Sequence, residues 1–283
     1  MFDRQAFEEA LLVVQYRTRK HLQHPPEPIQ LQAFESVAST NQILWSQLDQ
    51  GAGSGSAVLA AQQNAGRGQW GRQWSSPPGG LYLSVALLPQ LPIAHAAQLT
   101  FASAWGIAIA LRGFGVPVQL KWPNDLVLEG HKLGGILTET RLSQDVITQA
   151  VVGVGLNWQN PVPETGINLQ RFFAQQSDRE ATLSSLEMLA AIAAQGIVSG
   201  YHTHALKGME TLLPAYQALL LNLGETVQVD GQWATVTGVA ATGELSLRLL
   251  PPGGESSSPL TNHLTDIYLQ PGTISLGYRR SPP

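Results

Sequence analysis

Two stretches of this sequence combine residue types that can handle phosphate. Lys121-Trp122-Pro123-Asn124-Asp125 places a cation, an amide and a carboxylate at the end of a strand-like run, where Pro123 lacks the donor a strand needs. Lysine can neutralise a phosphate or a developing negative charge, and aspartate can hold a hard cation such as Mg2+. A capped turn with an internal salt bridge uses the same residues, so the pattern alone leaves both readings open. Gly66-Arg67-Gly68-Gln69-Trp70-Gly71 matches G-x-G-x-x-G, which signals dinucleotide binding only between a strand and a helix. Here Pro77-Pro78-Gly79-Gly80 follow soon after and forbid that helix. The loop still offers closely spaced N–H groups beside Arg67 and Arg72, a set that can cradle phosphate or simply form a glycine-rich surface loop. Lys132 stands beside Gly134-Gly135, and Gly153-Val154-Gly155 precedes Asn157. Glycines inside strands mark either bulges or close approach of a ligand.

The elements that must position these residues read as a mixed pattern. Phe2 to Leu22 has amphipathic helical spacing, and the prolines of His24-Pro25-Pro26-Glu27-Pro28 end it. Strand-like runs follow at Leu31 to Glu35, Ala57 to Gln62 and Leu81 to Leu88, with a short helix after Ser39-Thr40-Asn41-Gln42, a capping-box pattern. Pro92 to Arg112 reads as a long buried helix stopped by Gly113 and Gly115. Val116 to Lys121, Leu126 to Leu128, Leu133 to Glu139 and Val146 to Asn157 read as strands, with a turn at Glu129-Gly130-His131. Asn168 to Arg179 is a short helix plus loop. Two helical segments follow, Ser184 to Leu206, opened by the box Ser184 to Glu187, and Met209 to Leu221. Beyond Gly224 come Thr226 to Val229, an Asp230-Gly231 hairpin turn, Gln232 to Thr237, Glu244 to Leu249 and, past a Ser/Pro/Gly-rich loop, Asp266 to Leu269. The expected organisation is an N-terminal helical arm and linker over 1–29, a main α+β domain over 30–222 and a small β-barrel over 223–283.

Composition narrows the function. A formal net charge of −4 without a polybasic block argues against DNA as a partner. The absence of cysteine removes disulfides, thiolate metal sites and any enzyme thioester, so acyl transfer would need another means of activation. The most apolar stretch, Leu99 to Leu111, is interrupted by Thr100, Ser103 and Gly106, so no membrane span is expected and a cytoplasmic location follows by default. His202 and His204 would diverge on a helix, which argues against a metal site there. Trp45, Trp105 and Trp158 are expected in the core.

Taken together and in order, Ser39-Thr40-Asn41, GRGQWGRQWSSPPGGLYLS, KWPNDLVLEGHKLGGILTE and VGVGLNW resemble biotin protein ligase, from about Phe34 to Asn157. The resemblance implies an α+β catalytic domain, a mixed β-sheet flanked by helices as in lipoate ligases, and an SH3-like C-terminal domain. It implies synthesis of biotinyl-5′-AMP from biotin and Mg-ATP, then attack by a lysine of an acceptor, usually the biotin carboxyl carrier protein of acetyl-CoA carboxylase. Residues 1–29 are too few for an independent winged-helix reader, so a ligase without the DNA-binding domain of some members is expected. The oligomeric state is left open, a homodimer included.

Carried over residue by residue, the biotin pocket is expected from Ser39, Thr40, Asn41, Gln63, Gly66, Arg67, Lys132 and Gly135. Ser39 can cap its helix as well. The ATP side is expected from Gln69, Trp70, Arg72, Trp74, Asn124, Asp125 and Asn157, with an indole stacking on adenine and Asp125 on the metal. Lys132, Arg67 and Asp125 are the expected catalytic set, with Lys132 bridging the biotin carboxylate and the α-phosphate. Gln69 departs from the pattern, many members having a second arginine there. The activation motifs all lie before Asn160, so the last residues are expected to serve docking or closure.

Overall fold

A computed structural model describes residues 2–20, 28–176, 183–251 and 265–278. The proline-rich linker up to Glu27, the end of the segment read as Asn168 to Arg179, and the Ser/Pro/Gly-rich loop at 252–264 lie outside the described residues. The chain runs α1 (Arg4–Thr18), β1 (Gln30–Val37), α2 (Thr40–Asp49), β2 (Ser56–Gln63), β3 (Leu81–Leu87), β4 (Leu91–Pro92), α3 (Ala97–Gly113) and β5 (Gln119–Lys121). It continues with β6 (Asp125–Leu128), β7 (His131–Ser143), β8 (Val146–Leu156), α4 (Leu169–Ala174), α5 (Leu186–Gln217), β9 (Thr226–Val229), β10 (Gln232–Val239), β11 (Leu245–Leu249) and β12 (Asp266–Leu269).

The main sheet has the order β1-β2-β3-β8-β7-β6-β5, with β4 paired to β8. Its β1–β2 pair is parallel and the other ladders antiparallel, so the sheet is mixed. Helix α2 covers one face, setting Leu44 and Leu48 against Val58, Ala86 and Val151. The other face carries α3 and α5. Helix α3 buries nearly every side chain from Gln98 to Leu111, as expected of a helix that is apolar all round. By length and composition Ile93–Gly113 also meets the requirement for crossing a membrane, more than the interrupted run in the sequence suggested, yet most of it is buried inside the fold. A Cβ on Gly106 would fall 2.0 Å from the Gly196 carbonyl oxygen, and one on Gly200 2.0 Å from that of Ala102. The two helices therefore meet backbone against backbone.

Helix α1 starts at its cap Asp3, which accepts from the Ala6 N–H at 3.1 Å. Phe7, Ala10 and Val14 join the main core, and Gln15 donates to Gln195 of α5 at 3.2 Å. Helix α5 is interrupted at Gly208, where φ is 69°, matching the two helical segments in the sequence. Its cap is Ser185, accepting from Met188, one residue beyond the box read at Ser184. The hairpin at Asp230-Gly231 has positive φ at both residues and joins Val229 to Gln232, as a two-residue I′ turn requires.

The C-terminal strands form a separate antiparallel sheet of order β12-β11-β10-β9. Its buried Val229, Ala234, Val236, Leu245 and Leu247 belong to the same core as the main sheet. Side chains pin it directly: Trp122 donates to the Gly243 carbonyl at 2.9 Å, Gln98 to that of Ala241 at 3.1 Å and Gln217 to that of Val239 at 3.2 Å. Since Trp122 lies between Lys121 and Asp125, the second sheet is tied to a motif that carries chemistry.

Candidate functional site

Strands β6 and β7 bring the charged residues together. Their register shifts between Leu126 and Val127, where β7 carries the extra residue Leu133. Without that bulge, alternation would send Lys132 and Gly135 to opposite faces. With it, Lys132 opposes Val127 and Gly135 opposes Asp125, and the Lys132 Nζ reaches Asp125 Oδ1 at 2.6 Å. Lys121 Nζ lies 3.9 Å from Asp125 Oδ2, and the Tyr278 hydroxyl donates to that oxygen at 2.6 Å. Burial holds the Lys121 ammonium below the ordinary lysine range and Asp125 opposes that, while Lys132 and Arg72 push further down.

The glycine-rich loop folds as a small hairpin, not as the start of a helix. Arg67 pairs with Gln73, Trp74 donates to the Gly66 carbonyl at 3.0 Å and Gly68 to that of Arg72 at 2.7 Å. At the tip Trp70 has φ 54° and ψ 40°, a left-handed conformation that an L side chain enters at a cost of roughly 1–2 kcal/mol. Its indole is exposed and packs on Gly272 of the C-terminal segment. Arg72 faces the Trp70 ring at 5.7 Å. Trp74 turns inward over Gly155, where a Cβ would fall 2.4 Å from its Nε1, and Lys132 Nζ lies 5.3 Å from the ring centre.

A polar cluster fills the other end. Gln63 Oε1 accepts from Thr40 N at 2.9 Å and Thr40 Oγ1 at 3.2 Å, and Gln63 Nε2 donates to Ser76 Oγ at 2.9 Å. Ser84 Oγ lies 2.7 Å from Thr40 Oγ1 and 2.6 Å from Asn41 Oδ1. Glu139 accepts a forked pair from Arg67 at 2.9 and 3.0 Å, plus Asn41 Nδ2 at 2.8 Å and Trp45 Nε1 at 3.1 Å. Such bidentate charged contacts fix orientation as well as adding energy. Ser39 stands at the cap position of α2, but its side chain makes no cap bond, so the capping role expected of it is not played.

One cavity of about 170 Å3 gathers Ser39, Thr40, Asn41, Gln63, Arg67, Gln69, Trp70, Arg72, Trp74, Asn124, Asp125, Lys132 and Gly135. Two expected residues stand apart from its lining. Gly66 acts from behind, since a Cβ there would strike the Trp74 carbonyl at 2.4 Å. Asn157 is buried, donating to the carbonyls of Lys132 and Ile167 and accepting from Asn160, so it anchors the strand bearing Lys132 and has no face toward the cavity. Asn124 is at the lining, but its Nδ2 is engaged by the Ile136 carbonyl at 2.6 Å.

The sequence reading missed Glu139, Ser76, Ser84 and Tyr278, and Trp45 serves Glu139 as well as the core. Glu139, Ser76 and Ser84 had a signal, lying within the KLGGILTE and GRGQWGRQWSSPPGGLYLS stretches, whereas Tyr278 had none. The C-terminal segment, expected to serve docking or closure, contributes Gly272, Ile274, Ser275 and Leu276 to the cavity lining.

Residues 33–157 match the biotin/lipoate A/B protein ligase family. This stretch holds both phosphate-handling motifs. Biotin protein ligases are among the proteins it resembles. A Bacillus spizizenii protein, bifunctional ligase/repressor BirA, is 33% identical over 123 residues, 43% of this chain and 38% of that protein. The biotin–acetyl-CoA-carboxylase ligase of Paracoccus denitrificans is 43% identical over 108 residues, 37% of this chain and 45% of its own. The solved biotin protein ligase of Aquifex aeolicus, in complex with biotin and ATP, superposes with a TM-score of 0.66 at 25% identity, covering 89% of this chain and 99% of that one. The chain spans less than half the length of the two curated relatives named.

Proposed function

We propose that this protein activates biotin with ATP to biotinyl-5′-AMP, releasing pyrophosphate, and passes the biotinyl group to a lysine of an acceptor. The observation that carries this reading is Lys132, held by Asp125 at 2.6 Å on the cavity wall between the Thr40–Gln63 cluster and the indole of Trp74. An ammonium placed there can lie between two anions, letting a carboxylate approach the α-phosphorus and then neutralising the charge left on AMP. Arg67, oriented by Glu139, adds a second cation for the biotin carboxylate. Asn41 and Gln63 offer the amide donors and acceptors that a ureido ring needs. Among the described residues no cluster of three or more acidic or histidine side chains forms a resident metal site. Asp125, the expected metal ligand, has Oδ1 on Lys132 and Oδ2 on Tyr278, so a Mg2+ that arrives with the nucleotide would be carried by the phosphates rather than by this carboxylate.

The name of the Paracoccus relative supports the carrier lysine of acetyl-CoA carboxylase as acceptor, and a cytoplasmic location is part of this proposed reading. The four-stranded sheet reads as a small C-terminal domain following the catalytic one, in the expected partition of 1–29, 30–222 and 223–283.

Incubation of the purified protein with Mg-ATP and an equimolar mixture of biotin and lipoate, followed by mass spectrometry, tests substrate and chemistry at once. Biotinyl-AMP is the expected product. Lipoyl-AMP in its place would assign the protein to the other branch of the family.

A methyl group at Gly155 gives a second check. Gly155→Ala is expected to push the Trp74 indole off its seat, overpacking of this kind costing about 1–3 kcal/mol, and to raise the dissociation constant for ATP roughly tenfold to a hundredfold. An unchanged constant by calorimetry would remove Trp74 from the nucleotide side.

A further inference from the structure

Asp125 is gripped by a residue from the far end of the described chain. The Tyr278 hydroxyl donates to Oδ2 at 2.6 Å, and the same ring lies 3.9 Å from Lys121 Nζ. Lys132 holds the opposite oxygen, Oδ1, at 2.6 Å. An ammonium has three donors, and a carboxylate free to turn could take two of them. With Oδ2 committed to Tyr278, Asp125 occupies a single Lys132 donor.

We propose that Tyr278 is a positioning residue for the activation step: its hydroxyl locks the Asp125 carboxylate, leaving the remaining Lys132 donors for the cavity, and so makes the C-terminal segment a working wall of the site. The neighbouring Ile274, Ser275 and Leu276 already line that cavity. The loop and the segment also touch at Trp70 and Gly272. The proposal rests on the biotin-activation reading.

The test compares wild type with Tyr278→Phe, which keeps the ring on Lys121 and removes only the hydroxyl, and with Tyr278→Ala. Biotin-dependent exchange of pyrophosphate into ATP is measured with each substrate varied, alongside calorimetric binding of ATP and thermal melting. In Tyr278→Phe, kcat is expected to fall about tenfold, the scale of a hydrogen bond to a charged group, with KM for biotin and the melting temperature unchanged. Tyr278→Ala should also weaken ATP binding. Wild-type kcat in Tyr278→Phe overturns the proposal. So do tighter ATP binding, which would make Tyr278 an obstacle, and equal loss for both substrates with lowered melting, which would make it structural. A wild type that yields no exchange refutes the biotin-activation reading instead, and ATP binding unaltered in both variants would then refute the positioning role separately.

Discussion

Lys132→Ala is expected to cut biotinyl-AMP formation by at least roughly tenfold to a hundredfold, since charge-assisted contacts are each worth about 1.5–3 kcal/mol and two anions would lose them together. The fold should survive. Lys132 is 30% exposed on its side chain, and its removal does not strand Asp125, which keeps the Tyr278 hydroxyl at 2.6 Å and the Lys121 ammonium at 3.9 Å. An uncompensated buried charge is what makes a broken ion pair severe, and here two partners remain. Single-turnover adenylate synthesis, read beside a melting curve, separates the effects. Wild-type turnover in a folded Lys132→Ala would end the role assigned to this residue.

The second large effect concerns the loop tip. A mixed anhydride is open to water and to stray amines, so it must stay covered until the acceptor arrives. Gln69 supplies no charge for this purpose, and its Oε1 is buried with no hydrogen-bond partner in the protein. Trp70 is placed to do the work by packing, with its indole against Gly272 across the cavity mouth and Arg72 over its ring. Trp70→Ala is therefore expected to speed adenylate release about tenfold, equivalent to burial of a modest part of an indole at about 25 cal/mol per Å2. Gln69→Arg should slow release by less. Release of labelled biotinyl-AMP from the three proteins decides the matter: a wild type as leaky as Trp70→Ala would reject the tryptophan cover.

The expected covalent trap for nearby lysines gives an independent readout. A leaking variant should label bystander proteins in proportion to its release rate, and a tight one should not.

Strands were legible in the sequence where local rules suffice. Asp230-Gly231 specifies its own turn, and the β-branched run before Asn157 can satisfy itself only in a sheet. The site was legible where long motifs carry it, which is why Lys132, Asp125, Arg67 and Trp74 meet at one cavity. It failed where a residue's partner is set by tertiary geometry. Asn157 sits in a motif yet spends its amide on main-chain carbonyls, and nothing local distinguishes that from a ligand contact. Tyr278 lies 153 positions from Asp125, a separation at which spacing says nothing. The Ser184 box was a near miss because Ser185 offers the same hydroxyl one residue nearer the helix. Ser39 matched a cap by residue type while its side chain makes no cap bond.

The glycine contacts between α3 and α5 extend mutational sensitivity well away from the cavity. At Gly106, Gly196 and Gly200 a single added carbon would collide with main chain at 2.0 to 2.7 Å, and no rotamer can relieve a clash with a backbone. Either helix would have to lift, and α3 carries the sheet that holds Lys132. At Gly153 and Gly155, in the cavity wall, an added carbon would fall 2.3 Å from Asn41 Oδ1 and 2.4 Å from Trp74 Nε1, in both cases a side chain. Sequence change is thus restricted in the layer that never meets a substrate as tightly as at the cavity wall itself. Random substitution will strike activity through the helices behind the sheet as readily as through the cavity.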